Sequence, residues 1–229
     1  MLGINEVEIW HGQVTVEDAH YQAYWGILDE AEQAQAGKFK NKLLHKRYVE
    51  SHGRLRNLLA QTLNQPPQKI RIRIAKHGKP YLADYPELAF NLSHTADRLV
   101  IAMSWNCQLG VDIEIYKKRI NLSGLVDKCF AKEEAVYWTQ LPEAEKNHTF
   151  YHFWTRKEAF VKATGQGISL GLNQCVINPE NPAEFLRVPD NCGQASLWHG
   201  QDIDFGEGIF SALVADKKFS LIRLMDFVE

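Results

Sequence analysis

Strand-like and helix-like hydrophobic patterns follow one another in a fixed order along this chain, and the order then repeats. Each half opens with a strand, continues through helix and ends in several strands. No clear sequence repeat accompanies this similarity of pattern. In 229 residues, such an order predicts an α+β fold of two similar subdomains, residues 1–107 and 108–229. The predicted helices cover 30–63, 122–139 and 150–163, and the predicted strands cover 7–10, 70–74, 88–92, 99–105, 109–115, 174–177, 195–198, 209–214 and 219–224.

Positive charge is concentrated in one stretch of a chain whose formal net charge is −2. Residues 1–37 hold seven acidic residues and no Lys or Arg, whereas 38–79 hold twelve Lys or Arg and one acid, Glu50. Such a block is typical of a solvated face or of a site for a ligand with several phosphates, because Lys and Arg form charge-assisted hydrogen bonds with phosphate. A nucleic-acid-binding surface is the competing interpretation, but Phe39 and Tyr48 are the sole aromatic residues in the block.

Three sequence features favour a cytoplasmic protein without a membrane segment. The N-terminal residues lack the basic and apolar regions of a signal peptide. No stretch approaches the roughly 18 consecutive apolar residues of a membrane span. The four cysteines contain no CxxC pair, which argues against a zinc ribbon and favours reduced thiols.

Residues 110–114, Gly-Val-Asp-Ile-Glu, place two carboxylates on one face of a predicted strand. Asp112 and Glu114 point to the same side because successive side chains of a strand alternate. Adjacent carboxylates repel each other unless a cation or basic groups neutralise them, and oxygen ligands suit Mg²⁺ better than zinc. Taken alone, however, the pair is more typical of two acids on the exposed face of an edge strand.

A second segment, residues 153–165, reads Phe-Trp-Thr-Arg-Lys-Glu-Ala-Phe-Val-Lys-Ala-Thr-Gly. Glu158 and Lys162 are four residues apart, so they share one face of the predicted helix and can pair. On its own this is an ordinary surface ion pair. The glycines at 165 and 167 follow a helix, so they indicate a helix stop instead of a dinucleotide-binding loop.

A third segment contains polar groups that can donate hydrogen bonds to phosphate. Gly78-Lys79-Pro80 is a predicted turn, and Ser93 and His94 lie in 93–97, which is predicted to connect two strands. A lone loop histidine is more often merely exposed. The sequence contains no HExxH or P-loop motif that would assign a different chemistry.

Taken together, GKPYL, FNLSH, GVDIE and FWTRKEAFVKATGQG resemble, in this order and spacing, the signature blocks of the Sfp-type 4′-phosphopantetheinyl transferases. The resemblance covers residues 78 to about 172, and the preceding basic helix also fits. The stretch after Leu172 carries no diagnostic motif. The resemblance implies two similar α/β subdomains related by a pseudo-twofold axis, with coenzyme A in the cleft between them.

The resemblance also implies roles for individual residues. The carboxylates implied to bind Mg²⁺ are Asp112, Glu114 and Glu158. The residues implied to hold coenzyme A are Arg47, Lys79, Pro80, Ser93 and His94, with Lys38 as a further phosphate contact. Glu158, directly or through a water, is the implied catalytic base, and Lys162 is implied to stabilise the departing phosphate.

The activity that the resemblance implies is transfer of 4′-phosphopantetheine from coenzyme A to a serine of an apo acyl or peptidyl carrier protein, with release of 3′,5′-ADP. The chain lacks the Asp-Ser-Leu motif of carriers, so we expect it to be the modifying enzyme. A catalytically silent module that binds coenzyme A or a nucleotide is the alternative. We expect a monomer that binds neither nucleic acid nor membrane, and carriers of fatty-acid, polyketide or peptide synthesis all remain candidates.

A basic and apolar stretch after the carboxylate strand is predicted to receive the carrier. Lys117, Lys118 and Arg119 precede five apolar residues at helical spacing, Leu122, Leu125, Val126, Cys129 and Phe130. Val126 and Phe130 are expected to be core residues. A basic rim suits carriers of this kind, because they are small and generally acidic.

Overall fold

The computed structural model describes residues 2–3, 5–14, 18–117, 121–167 and 170–227. The helices are α1 (Asp18–Ile27), α2 (Glu30–Ala36), α3 (Lys42–Leu63), α4 (Leu122–Cys129), α5 (Lys132–Gln140) and α6 (Glu143–Thr164). The strands are β1 (Glu6–Gln13), β2 (Ile72–Ile74), β3 (Pro80–Leu82), β4 (Leu88–Thr95), β5 (Arg98–Trp105), β6 (Leu109–Ile115), β7 (Val176–Ile177), β8 (Phe185–Arg187), β9 (His199–Asp202), β10 (Ile209–Ala215) and β11 (Leu221–Asp226). Several small sheets together with helices confirm the predicted α+β class.

The first sheet has the strand order β11-β1-β5-β4. β1, β5 and β4 pair antiparallel, whereas β11 pairs parallel with β1, so a strand from the end of the chain lies beside one from its beginning. Leu55 and Leu59 lie four residues apart on α3 and are buried against Phe90 and Ile101 of this sheet. Burial of these apolar side chains holds α3 against the first sheet.

The second sheet has the order β6-β10-β9, and α6 packs against β6 and β10. Gly110 permits the close approach of α6, because a Cβ atom there would lie 2.1 Å from the carbonyl oxygen of Ala159 and 2.4 Å from the backbone nitrogen of Ala163. Phe160 of α6 and Val214 of β10 belong to the core on this side. The carboxylate strand is therefore held directly under the helix that carries Glu158 and Lys162.

Two of the predicted helices are interrupted in the structure. The prediction of one helix over 30–63 was wrong, because α2 ends before Gly37 and the side chain of Asn41 caps a new helix by accepting from the backbone N–H of Leu43 and Leu44. The predicted helix over 122–139 likewise breaks at Phe130, whose backbone is extended. Helix α1 was not predicted.

Some strand predictions were also wrong. β4 continues to Thr95, so Ser93 and His94 lie on a strand and not in its connection, and the turn occurs at Ala96, which has a φ of 50°. Residues 195–197 form a short 3₁₀ turn, and the strand begins afterwards as β9. The alternation at 70–74 does not bury its last member, since Ile74 is 65% exposed. β2 and β3 form a separate two-stranded sheet, which leaves that end of the hairpin uncovered.

The four cysteines are free thiols, as predicted. Across the residues that the structure describes, none of the helices has the combined length and apolarity needed to cross a membrane.

Candidate active site

A series of side chains on β4 connects this strand to β6. The bonds are Asn91 Oδ1 accepting from Val111 N–H at 2.8 Å, Ser93 Oγ donating to Asp112 Oδ1 at 2.9 Å, and Thr95 Oγ1 donating to Glu114 Oε2 at 3.3 Å. The three residues of β4 are spaced by two, so they project from one face of the strand. Because β6 is an edge strand of the second sheet, this series joins the two sheets and directs both carboxylates towards β4.

Lys162 is bound to the same series. Its Nζ donates to Ser93 Oγ and to Asp112 Oδ1, each at 2.7 Å, and lies 3.3 Å from the carbonyl oxygen of Val111. The Lys162 side chain is 28% exposed, so the ammonium group remains accessible from solvent. The ion-pair partner of Lys162 is therefore Asp112 across the interface, whereas the sequence spacing predicted Glu158 on its own helix.

Glu158 lies one helical turn before Lys162 and is half-buried. Its pKa is raised, first by burial and then by the negative charges of Asp112 and Glu114, although Lys162 opposes this. The second carboxylate oxygen of Asp112, Oδ2, is buried and has no hydrogen-bond partner. Three mutually repelling carboxylates and one unsatisfied buried oxygen form a set of donors that fits Mg²⁺.

The carboxylates fit Mg²⁺ in their chemical nature and their charge, but not in their present positions. As arranged, the described part of the chain contains no group of three or more His, Cys, Asp or Glu side chains placed to hold a metal ion together. Asp112 Oδ1 is instead held by Lys162 and Ser93.

Lys79 makes contacts that the sequence did not predict. Its Nζ donates to the carbonyl oxygens of Leu109 at 3.0 Å and Ala163 at 2.6 Å, which lie at the start of β6 and the end of α6. Burial lowers the pKa of Lys79 to about 8. Lys79 thus ties the β2–β3 hairpin to the second sheet and its helix while it remains close to the site.

A pocket of about 310 Å³ lies between the hairpin and α6. Of the predicted site residues, Lys79, Pro80, Glu158 and Lys162 line it. A larger pocket of about 960 Å³ is lined by residues between 181 and 219 and contains none of the predicted site residues. The smaller pocket is therefore the one that the predicted chemistry surrounds.

His94 and Arg47 approach the site from β4 and α3. The pKa of His94 is lowered, first by partial removal from water and then by the positive charges of Lys162, His52 and Arg47. The His94 side chain is exposed, and the three neighbouring positive charges oppose its protonation. Arg47 Nε is buried without a hydrogen-bond partner. These cationic groups and an unsatisfied donor favour an anionic ligand.

Lys38 is placed differently from the other predicted residues. It is exposed in the turn after α2, where its Nζ donates to Gln35 Oε1 at 3.0 Å. Among the contacts of the described residues, none links Lys38 to the series on β4.

Part of the basic block has a structural role that none of the three interpretations of the sequence included. Arg56 is fully buried and donates to Asp29 Oδ2 at 2.6 Å and to Glu32 Oε2. Arg54 pairs with Glu50 at 2.6 Å. Arg56 therefore holds α3 to the start of α2, whereas Arg54 is paired within α3, so the positive charge available to a ligand is smaller than the composition indicates.

Sequence reasoning missed Asn91 and Thr95, which orient the carboxylate strand. The signal was present, because both residues lie two positions from Ser93 and must share its face if 91–95 is one strand. Placing a loop at 93–97 concealed that alternation.

Comparison with known proteins agrees with this arrangement. Residues 108–213 match the 4′-phosphopantetheinyl transferase superfamily, and residues 14–106 match the N-terminal region described for 4′-phosphopantetheinyl transferases. Three relatives carry the same activity in their names. HetI of Nostoc sp. is 30% identical over 219 residues, which cover 85% of this chain and 92% of HetI. The protein slr0495 of Synechocystis sp. is 34% identical over 177 residues, 76% of this chain and 71% of the relative. Sfp of Bacillus subtilis is 30% identical over 138 residues, 60% of each chain. These matches confirm the family predicted from the signature segments, and the chain belongs to the 4′-phosphopantetheinyl transferase superfamily.

Proposed function

We propose that this protein transfers 4′-phosphopantetheine from coenzyme A to a serine hydroxyl of an apo carrier protein and releases 3′,5′-ADP. The observation that carries the proposal is the contact of Lys162 with Asp112 and Ser93, one helical turn from Glu158 and at the wall of a pocket. Membership of the family supports the same activity.

Coenzyme A is assigned to the pocket and to the cationic groups beside it. Lys79 and Pro80 line the pocket, and Ser93 lies behind Lys162. Arg47 and His94 are assigned to the phosphates of the nucleotide, and the unsatisfied Nε of Arg47 supports this. Lys38 is kept as a further phosphate contact on the strength of the family resemblance.

Asp112, Glu114 and Glu158 are the residues that would hold Mg²⁺. When bound, this ion would supply charge neutralisation at the pyrophosphate oxygens. Support comes from the raised pKa of Glu158, which burial and the neighbouring carboxylates produce, and from the unpartnered Asp112 Oδ2.

The chemical step divides between Glu158 and Lys162. Glu158 accepts the proton of the carrier serine while the serine oxygen bonds to the β-phosphorus of coenzyme A, and its raised pKa makes it a better proton acceptor near neutral pH. The bond between that phosphorus and the bridging oxygen of the departing 3′,5′-ADP breaks at the same time. Lys162 donates hydrogen bonds to the departing phosphate, which carries the released charge.

The proposal includes a division of the chain into residues 1–107 and 108–229, two similar halves related by a pseudo-twofold axis with coenzyme A between them. Contacts between β4 and β6 support a site at this boundary. We further propose a cytoplasmic monomer that binds neither nucleic acid nor membrane. Analytical ultracentrifugation of the purified protein would test the monomeric state.

The carrier is proposed to bind beside α4. Val126 and Phe130 are buried, as expected for core residues, whereas Leu122, Leu125 and Cys129 are half-buried and leave an apolar edge. Lys117 precedes this helix, with its backbone N–H bonded to Tyr151 Oη at 3.0 Å. Lys118 and Arg119, the other basic residues predicted to contact the carrier, lie outside the described residues.

The experiment that tests the function incubates the protein with coenzyme A, Mg²⁺ and a panel of apo carriers from fatty-acid, polyketide and peptide synthesis. Mass spectrometry should show a gain of roughly 340 Da on the carrier, the mass of the transferred group. EDTA should abolish the gain, as should Asp112→Asn, Glu158→Gln and Lys162→Met, which nearly preserve side-chain size.

The controls separate catalysis from binding. Coenzyme A binding by calorimetry with no mass gain on any carrier would favour the catalytically silent module. Full activity of a folded Asp112→Asn protein would contradict the assigned carboxylate site.

A further inference from the structure

Two histidines on the first half of α6 lie outside the candidate active site. His148 and His152 are four residues apart, so they share one face of the helix. Their Nε2 atoms are 3.1 Å apart. Both rings also pack edge-on against Phe210, with centroid distances of 5.4 and 5.5 Å. The two imidazoles are therefore held close together on a regular helix and against an aromatic ring.

A carboxylate fixes the orientation of one of these rings. His152 Nδ1 lies 2.9 Å from Asp202 Oδ2 on β9, and an Arg156 Nη atom donates to the same oxygen at 2.7 Å. An ionised Asp202 accepts a hydrogen bond from Nδ1–H, which leaves the lone pair of His152 on Nε2, the atom that faces His148. The other Nη atom of Arg156 lies 3.3 Å from His152 Nδ1, which is farther than the 2.9 Å between this nitrogen and Asp202 Oδ2.

We propose that His148 and His152 bind a transition-metal dication of the Zn²⁺, Ni²⁺ or Cu²⁺ class through their Nε2 atoms. Asp202 orients the His152 ring through its hydrogen bond with Nδ1. Metal–nitrogen bonds of about 2.0–2.1 Å place neighbouring ligand nitrogens roughly 2.9–3.4 Å apart. The observed Nε2 separation of 3.1 Å lies within that interval. A carboxylate on the far nitrogen of a ligating histidine is the usual support of such a site.

The ligand set determines which ions fit. Imidazole nitrogens suit zinc, copper and nickel, whereas Mg²⁺ prefers oxygen ligands. The described residues contain no third His, Cys, Asp or Glu arranged with this pair to hold a metal, so water completes the coordination. Without a metal, one Nε2–H donates to the other Nε2; on binding, His148 carries its proton on Nδ1 and no proton is lost.

Isothermal titration of the untagged protein with Ni²⁺, Zn²⁺ and Mg²⁺ tests the proposal. One Ni²⁺ or Zn²⁺ per chain should bind at this pair, and His148→Ala and His152→Ala should each weaken that binding by about tenfold or more. His148 is exposed, so its variant should fold normally. Asp202→Asn should weaken binding by roughly 10–100-fold, as expected for a group that orients a ligand. Mg²⁺ binding should be unaffected by the histidine substitutions.

His20→Ala serves as the matched control, since it removes an exposed imidazole from α1. Its Ni²⁺ affinity should equal that of the unchanged protein. Absence of Ni²⁺ and Zn²⁺ binding in the unchanged protein, or wild-type affinity in a folded His148→Ala protein, would overturn the proposal.

Discussion

Lys157, directly before Glu158 on α6, is a fully buried cation whose removal should strongly destabilise the protein. Lys157 and Glu134 are both 0% exposed, and Lys157 Nζ lies 2.7 Å from Glu134 Oε2. Nζ also donates to the carbonyl oxygens of Leu172, at 3.0 Å, and Cys175. This one ammonium group therefore connects α5, α6 and the segment that leads into β7.

The expected loss of stability follows from the buried Glu134 carboxylate, which Lys157→Met leaves without its cation. Glu134 also accepts from the backbone N–H of Ala131 at 2.6 Å and of Ile177 at 2.8 Å, so its carboxylate cannot easily turn to solvent. Removing one partner of a buried ion pair leaves an uncompensated charge and costs about 3–5 kcal/mol. Because a domain is stable by about 5–15 kcal/mol in total, the variant should retain a small margin.

Urea unfolding followed by circular dichroism and tryptophan fluorescence measures this loss. Glu134→Gln and the double variant complete a thermodynamic cycle, whose coupling energy should be about 0.5–3 kcal/mol. Glu143→Gln is the matched control on the same helix. Glu143 is 88% exposed and pairs with Lys146, so its loss should change stability by less than about 1 kcal/mol.

Two results would refute this reasoning about Lys157. One is a loss below about 1 kcal/mol for Lys157→Met, which would mean that water or another cation already compensates Glu134. The other is a double variant whose loss equals the sum of the single losses, since that would show that the two charges do not interact.

Three further predictions concern the ligand, the packing and the hairpin. Arg47→Ala and His94→Ala should raise the KM for coenzyme A more than that for 3′-dephospho-coenzyme A, because each removes a donor to a phosphate that the second substrate lacks. Equal effects on the two substrates would assign these residues to another part of the ligand. Gly110→Ala should destabilise the protein to urea by about 3 kcal/mol or more, since the new Cβ would lie 2.1 Å from a main-chain oxygen of α6. Gly26→Ala, with no atom within 4 Å of its new Cβ, should be neutral or stabilising, and equal losses at both sites would exclude the packing argument. Burial holds the pKa of Lys79 at about 8, below its ordinary 10.5, so the unfolded chain binds more protons between these values and stability rises with pH there. Lys79→Met lacks that rise, so its stability relative to the unchanged protein should fall between pH 8 and 10, and a constant difference would contradict the burial of this ammonium group.

The parts of the fold that depend on local periodicity were predictable from sequence. β5 and β6 were predicted closely, because β5 is a short, mostly apolar run and β6 alternates apolar residues with its two carboxylates. The break between α2 and α3 was missed because it depends on one capping side chain, Asn41. The pairing of β11 with β1 could not be inferred, since alternation within a strand does not identify its distant neighbour.

The candidate site was predictable as a set of residues but not as a set of contacts. The spacing of Glu158 and Lys162 correctly placed them one turn apart on a helix. The partner of Lys162 depends instead on tertiary packing. The structure places Asp112 of β6 next to it, which the helical spacing could not indicate. Composition alone also could not distinguish Arg56 from Arg47. Arg56 is neutralised inside the protein by Asp29 and Glu32, whereas Arg47 Nε is buried without a hydrogen-bond partner.

The parallel pairing of β11 with β1 has a consequence for synthesis on the ribosome. The strand that completes the first sheet is formed by residues 221–226, so β1 has an open edge until these residues have been made. An unpaired strand edge invites association with other chains. A fragment cut at the boundary of residues 107 and 108 would keep that edge permanently. The nascent chain therefore depends on prompt pairing of β11 with β1. Truncations within 221–226 should aggregate even though they remove none of the residues assigned to catalysis.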